Sequence, residues 1–185
     1  MGQREDIGAE VSGENWSEFM KPSTLRLGGP VRTDHPVLDF EAMLVKDFSL
    51  MLNTKGFCHV VDITSQIQEK ILESGAKKGV VTVFVVGSTA GITAVEYEPG
   101  LVNDLEELFN RLAPPTTEYH HEETWHDGNG FSHVRASLLK PSLTVPFVNG
   151  RMRLGTWQQI VVLDFDNRSR HREVAVQVMG TAGDE

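Results

Sequence analysis

Regular recurrence of apolar positions begins near Met43, and from there the spacing switches between the period of strands and that of helices. Residues 44–52 and 57–63 are rich in β-formers, and the Asn53-Thr54-Lys55-Gly56 turn between them predicts an opening hairpin. Residues 64–78 predict a helix. Ser65 and Gln68 are spaced as a capping box, Ile67, Ile71, Leu72 and Ala76 share one face, and Lys77, Lys78 and Gly79 suit a C-terminus. Residues 80–86 are almost wholly apolar and β-branched, as in a buried strand, and residues 92–97 read as a second, shorter one. Pro99 suits the first turn of a second helix whose stripe is Leu101, Leu105, Leu108, Phe109 and Leu112, stopped by Pro114 and Pro115. The remainder predicts strands at 134–139, 143–148, 151–154, 156–166 and 172–179. Asn149-Gly150 carries the signal of a type I′ hairpin turn, and 166–169 supplies another turn.

Strand pairs dominate, and helices interrupt them without a βαβαβ rhythm. The expected fold is therefore α+β: a mainly antiparallel, β-sandwich-like core with two or three helices packed outside. Residues 1–42 lack a sustained apolar period and are expected to form a flexible extension, leaving 43–185 as a single domain.

Composition narrows the classes of function. With 185 residues of which 39% are hydrophobic, one sizeable core can form. Cys58 is the only cysteine, so an intramolecular disulfide and a cysteine-based zinc site are excluded; a reducing, cytoplasmic location is expected. No apolar run approaches the length of a membrane span, and the first residues do not resemble a secretion signal, so no membrane partner is expected. A formal charge of −9 opposes a nucleic-acid partner, although a few local cations and backbone N–H groups suffice for a small phosphorylated metabolite.

Candidate chemistry is densest between His120 and His133. His120, His121, His126 and His133 fall there together with Glu118, Glu122, Glu123, Asp127 and Asn129, residue types that ligate metals and exchange protons near neutral pH. No named zinc signature is present, and a solvated polar loop is the plain alternative. Gly87-Ser88-Thr89-Ala90-Gly91 follows an apolar strand, where small residues and hydroxyls can cradle phosphate or simply make a tight turn. Glu96 ends the next strand and either faces the same site or is one more exposed acid. Trp157 and Gln158 could stack on a ring and read its edge, or belong to a core or subunit interface. Arg135 has a better claim to an anion than Arg168, Arg170 and Arg172, which read as a solvated basic tip.

The order Gly87-Ser88-Thr89-Ala90-Gly91, Glu96, Tyr119-x-His121, Ser132-His133, Pro146 and Gly155-Thr156-Trp157-Gln158 resembles the YjbQ-like family from about Met43 to Gly180. That resemblance implies a β-rich α+β subunit assembling as a homotrimer, with a secondary thiamine-phosphate synthase activity. The chain departs from the family pattern at Gly87, where many relatives carry His, at Phe131, where some carry another His, and at Lys140, which replaces a frequent Gly.

Two functions are expected to compete. In the first, a transferase joins a pyrimidine pyrophosphate to a thiazole phosphate and releases pyrophosphate, with a divalent metal, magnesium or zinc, on the leaving group. Ser88, Thr89, Asn129, Arg135 and Gln158 would bind substrate; His121, Asp127 and His133 would hold metal; Glu96, His121 and His133 would be catalytic. The second is a non-catalytic trimer that binds a metal or a phosphometabolite.

Overall fold

The structure is a computed structural model that describes residues 43–182, so the extension expected at 1–42 lies outside the described residues. Eight strands and four helices follow in the order β1 (Leu44–Thr54), β2 (His59–Asp62), α1 (Thr64–Ser74), β3 (Lys78–Val85), β4 (Ala90–Val95), α2 (Pro99–Leu112), α3 (Glu122–Trp125), α4 (Gly130–Leu139), β5 (Ser142–Val148), β6 (Arg151–Met152), β7 (Gln159–Asp164) and β8 (Arg170–Thr181). They form a five-stranded sheet, β1-β8-β3-β5-β6, and a three-stranded sheet, β2-β7-β4. Every pairing is antiparallel. The α+β class is as expected, and among the described residues no helix is long and apolar enough to cross a membrane.

The layers follow from alternation along the strands. In the large sheet Leu50, Leu52, Val81, Val83, Val174, Val176 and Val178 point inward, and their neighbours face outward. In β7, Ile160 and Val162 join that same core with Ile67 and Ile71 of α1, whereas Val161 and Leu163 enter a second cluster with Phe109 of α2 and Ala136 of α4. Strand β7 is thus buried on both faces, which is why its sequence is continuously apolar rather than alternating.

Four expectations are corrected. Strands β1 and β2 do not form a hairpin: β1 pairs with β8 and β2 with β7. Gly56, Phe57 and Cys58 all take left-handed φ (76°, 48° and 67°), which swings the chain from one sheet to the other. Helix α1 ends at Gly75 (φ 80°), and Lys78 and Gly79 belong to β3 instead. Gln68 does not close a capping box, because its amide donates to the Gly150 carbonyl at 2.6 Å and accepts from Met152 N–H at 3.2 Å. Residues 134–139 are helix rather than strand. The buried face of α4 is Phe131, Ser132, Arg135 and Ala136, and a polar pair on that face disguises the helical period. The Asn149-Gly150 turn joins β5 to β6 as expected, with φ of 55° and 70°.

Candidate functional site

The two sheets are tied together at one end by a buried polar network. Ala90 of β4 pairs with Asp164 of β7, and Phe165 N–H donates to the Thr89 carbonyl at 2.9 Å, fixing the 87–89 turn beside the end of β7. Arg172 reaches across from β8. Its Nε donates to Asp164 Oδ2 at 2.9 Å, and its Nη2 donates to Asp164 Oδ1 at 2.7 Å and Thr89 Oγ1 at 2.6 Å. Thr89 Oγ1 donates in turn to Asp166 Oδ2 at 2.8 Å, Arg170 Nε donates to the same oxygen at 2.8 Å, and Thr54 of β1 donates to Asp164. Asp164 and Asp166 are fully buried. Burial raises the Asp166 carboxyl, but hydrogen bonds from Arg170 and Thr89 and the charges of Arg170 and Arg172 outweigh it and hold the group below the usual aspartate range. Arg170 and Arg172, expected in a solvated tip, are therefore structural partners of buried carboxylates.

The His-rich segment docks onto this end of the sheets. Ser132 Oγ donates to the Phe165 carbonyl at 2.6 Å, and Asn167 Nδ2 donates to the Asp127 carbonyl at 2.8 Å. Glu122 acts as a clamp: its two carboxylate oxygens accept from Gly128 N–H at 2.6 Å and Gly130 N–H at 2.8 Å, which lowers its carboxyl pKa. The clamp brings α3 against the start of α4, and the imidazoles of His121 and His133 stack with centroids 4.4 Å apart and planes 27° from parallel.

A cleft of about 460 Å³ opens between these parts. Gly87, Ser88 and Thr89 form one side; His121, Trp125, Asp127, Asn129 and His133 form the other; Arg170 and Arg172 close the end. That volume is in the range of metabolite sites. His133 is shifted below the ordinary histidine value, first by burial and then by the charge of His121, against opposing pulls from Asp127, Asp166 and Glu122. It is therefore held in its neutral form at neutral pH.

The residues fit a divalent metal in part. His121 Nδ1 is buried without a hydrogen bond and stands 3.7 Å from both Glu122 Oε1 and Asp127 Oδ1; one donor atom from each of these residues lies within 4.8 Å of the others. One nitrogen and two carboxylates suit zinc or magnesium. His133 lies outside that triad, with its imidazole stacked on that of His121. Asn129 Oδ1 and Asp166 Oδ1 are also buried without partners, so unsatisfied acceptors accumulate around this end of the sheets.

Of the residues singled out in the sequence, Ser88, Thr89, His121, Asp127, Asn129 and His133 meet in the cleft. Arg135, Glu96 and Gln158 do not. Arg135 is 1% exposed, and its guanidinium donates to the Ala113 carbonyl at 2.9 and 2.8 Å and to Asn110 at 2.9 Å, closing the C-terminus of α2. Glu96 and Gln158 adjoin the Val95↔Gln159 end of the small sheet, opposite the Ala90↔Asp164 end and roughly 17 Å away at strand rise. Gln158 there accepts from Gly155 N–H at 3.1 Å. Sequence reading placed Glu122 in the His-rich stretch without a role of its own, and missed Asp164, Asp166, Arg172 and Trp125 as parts of this region. The alternation Asp164-x-Asp166 and Arg170-x-Arg172 is the one signal that could have exposed the network.

The profile of the family described as UPF0047 protein YjbQ-like matches residues 48–181. A UPF0047 protein from Methanothermobacter thermautotrophicus is 38% identical over 131 residues, spanning 71% of this chain and 90% of its own length. One from Archaeoglobus fulgidus is 36% identical over 130 residues, 70% of this chain and 98% of its own. Among solved structures, a YbjQ-like protein of unknown function from Sulfolobus solfataricus superposes with a TM-score of 0.71 at 30% identity, covering 75% of this chain and 99% of that one. The fold, its residues 48–181 and these relatives agree, and the chain belongs to the YjbQ-like, UPF0047 family.

Proposed function

We propose that this protein binds a small phosphorylated metabolite together with a divalent cation in the cleft between the Ser88–Thr89 turn and the His121–His133 stack. The observation that carries the reading is that opposite chemistries face one cleft. His121 Nδ1 with Asp127 is directed at a cation, while Ser88 and Arg170, whose terminal nitrogens make no hydrogen bond among the described residues, are directed at an anion. Thr89 is a positioning residue, since its hydroxyl is already engaged by Arg172 and Asp166. Thiamine-phosphate synthase-type transfer is the secondary activity proposed for this site. A cation would offset charge on the departing pyrophosphate as the thiazole ring nitrogen, which has no proton to lose, bonds to the pyrimidine's methylene carbon. The buried, unpaired Cys58 is in keeping with a cytoplasmic location.

Calorimetric titration of zinc, magnesium and thiamine phosphate, with a product assay for thiamine phosphate, tests this. His121→Ala and Asp127→Ala are expected to weaken metal binding about tenfold or more, in the manner of lost ligands. His121→Ala and His133→Ala together are expected to cost less than the sum of the single losses, because the rings are in contact. Wild-type protein that binds neither metal nor phosphate overturns the proposal; binding without turnover leaves the metabolite-binding reading and removes the transferase.

A further inference from the structure

Trp125 is the last residue of α3 and is 69% exposed, although its neighbours in sequence are held firmly. Its backbone N–H donates to the His121 carbonyl at 3.2 Å, His126 turns into the left-handed region at φ 51° directly after it, and the Glu122 clamp pins the helix to the start of α4. A large apolar ring is therefore carried on a held stretch of backbone at the cleft without being used in either core cluster. Across that cleft stand the bare backbone of Gly87, the exposed Ser88 and the Arg170 guanidinium. The other exposed tryptophan of the described residues, Trp157, follows Gly155 at the opposite end of the small sheet and cannot serve this cleft.

An aromatic side chain stacks on any flat ring through its π-face, and a tryptophan on a held backbone has only two χ angles to order in doing so. From this juxtaposition we infer that Trp125 is a stacking platform, and that the ligand class of the cleft is a phosphorylated aromatic ring rather than an aliphatic phosphate ester. The inference rests on the proposed phosphometabolite binding and specifies which half of the ligand each wall addresses: anionic head to Ser88 and Arg170, flat ring to Trp125.

The test compares 1-naphthyl phosphate with glycerol phosphate, two monoesters of like charge that differ in having a ring, by calorimetric titration of the full chain. Wild type is expected to prefer the naphthyl ester about tenfold, the size of one base-like stacking contact. Trp125→Ala is expected to abolish that preference while leaving glycerol phosphate affinity within about twofold, and Trp125→Phe to retain part of it. A preference that survives Trp125→Ala, or equal weakening of both esters, overturns the inference. So does wild-type binding of both esters with equal affinity, which leaves the parent reading intact. Failure of wild type to bind either ester overturns the parent reading and this inference with it.

Discussion

Lys140 closes α4 at φ 70° and ψ 158°, a backbone region occupied almost only by glycine. It stays there because its N–H donates to the Ala136 carbonyl at 3.1 Å and its own carbonyl accepts from Ile92 N–H at 3.1 Å, fixing the peptide on both sides. Replacing Lys140 by Gly should relieve the strain by more than the added chain entropy opposes, raising unfolding free energy by about 1 kcal/mol in a urea titration. Gly87 is the converse case. Its φ is 136°, and a Cβ there would stand 2.9 Å from Arg172 Nη1, so a histidine at this place does not fit this backbone and this arginine together. Gly87→His is expected to lower the thermal midpoint and loosen Arg172, whereas Ser88→Ala, on an exposed side chain, should leave stability within about 0.5 kcal/mol.

Among the elements, the end of β7 and the start of β8 decide how the two sheets are held. Arg172 faces two buried carboxylates and a threonine, so Arg172→Met leaves charge unpaired in the interior and should cost about 3–5 kcal/mol of stability. The same network sets an acid response. Asp166 is held below the ordinary aspartate value of 3.8, so its contribution is complete above that value and is lost as pH falls through the depressed folded one. Thermal midpoints measured downward from pH 5 should therefore drop for wild type, and Asp166→Asn, less stable at neutral pH, should show a shallower drop. Helix α4 shows why an element of this kind is hard to read from sequence. Ser132 and Arg135 are buried polar residues on its inner face, satisfied by the Phe165 and Ala113 carbonyls, and neither partner is close in the chain. Its outward Val134 and Leu138 are apolar, while Phe131 and Ala136 share the inner face with that polar pair, so hydropathy marks neither face cleanly.

At the scale of the whole molecule, the outer face of the large sheet carries Val45, Met179 and Val80 as neighbours across three strands, and Phe84 on the same face. Exposed apolar rows on a sheet are covered in stable proteins by another surface, here in our proposal by further copies in a homotrimer. Sedimentation at micromolar concentration should give one species of about three times 20.6 kDa, and a stable monomer would remove the trimer. Limited proteolysis should leave a protected fragment beginning near Met43, where the regular recurrence of apolar positions begins in the sequence. The sequence by itself determined the strands with unbroken or alternating apolar runs, the second helix and the Asn149-Gly150 turn, because each depends on spacing or local φ within a few residues. It also determined that the chemistry concentrates between His120 and His133, since density of residue type needs no coordinates. Only the tertiary structure decided which strands pair, that Arg135 serves a helix end while Arg172 serves the site, and that Trp125 rather than Trp157 stands at the cleft. Those outcomes depend on contacts between residues far apart in the chain, and the direction of a long side chain is set by the partners that such contacts supply.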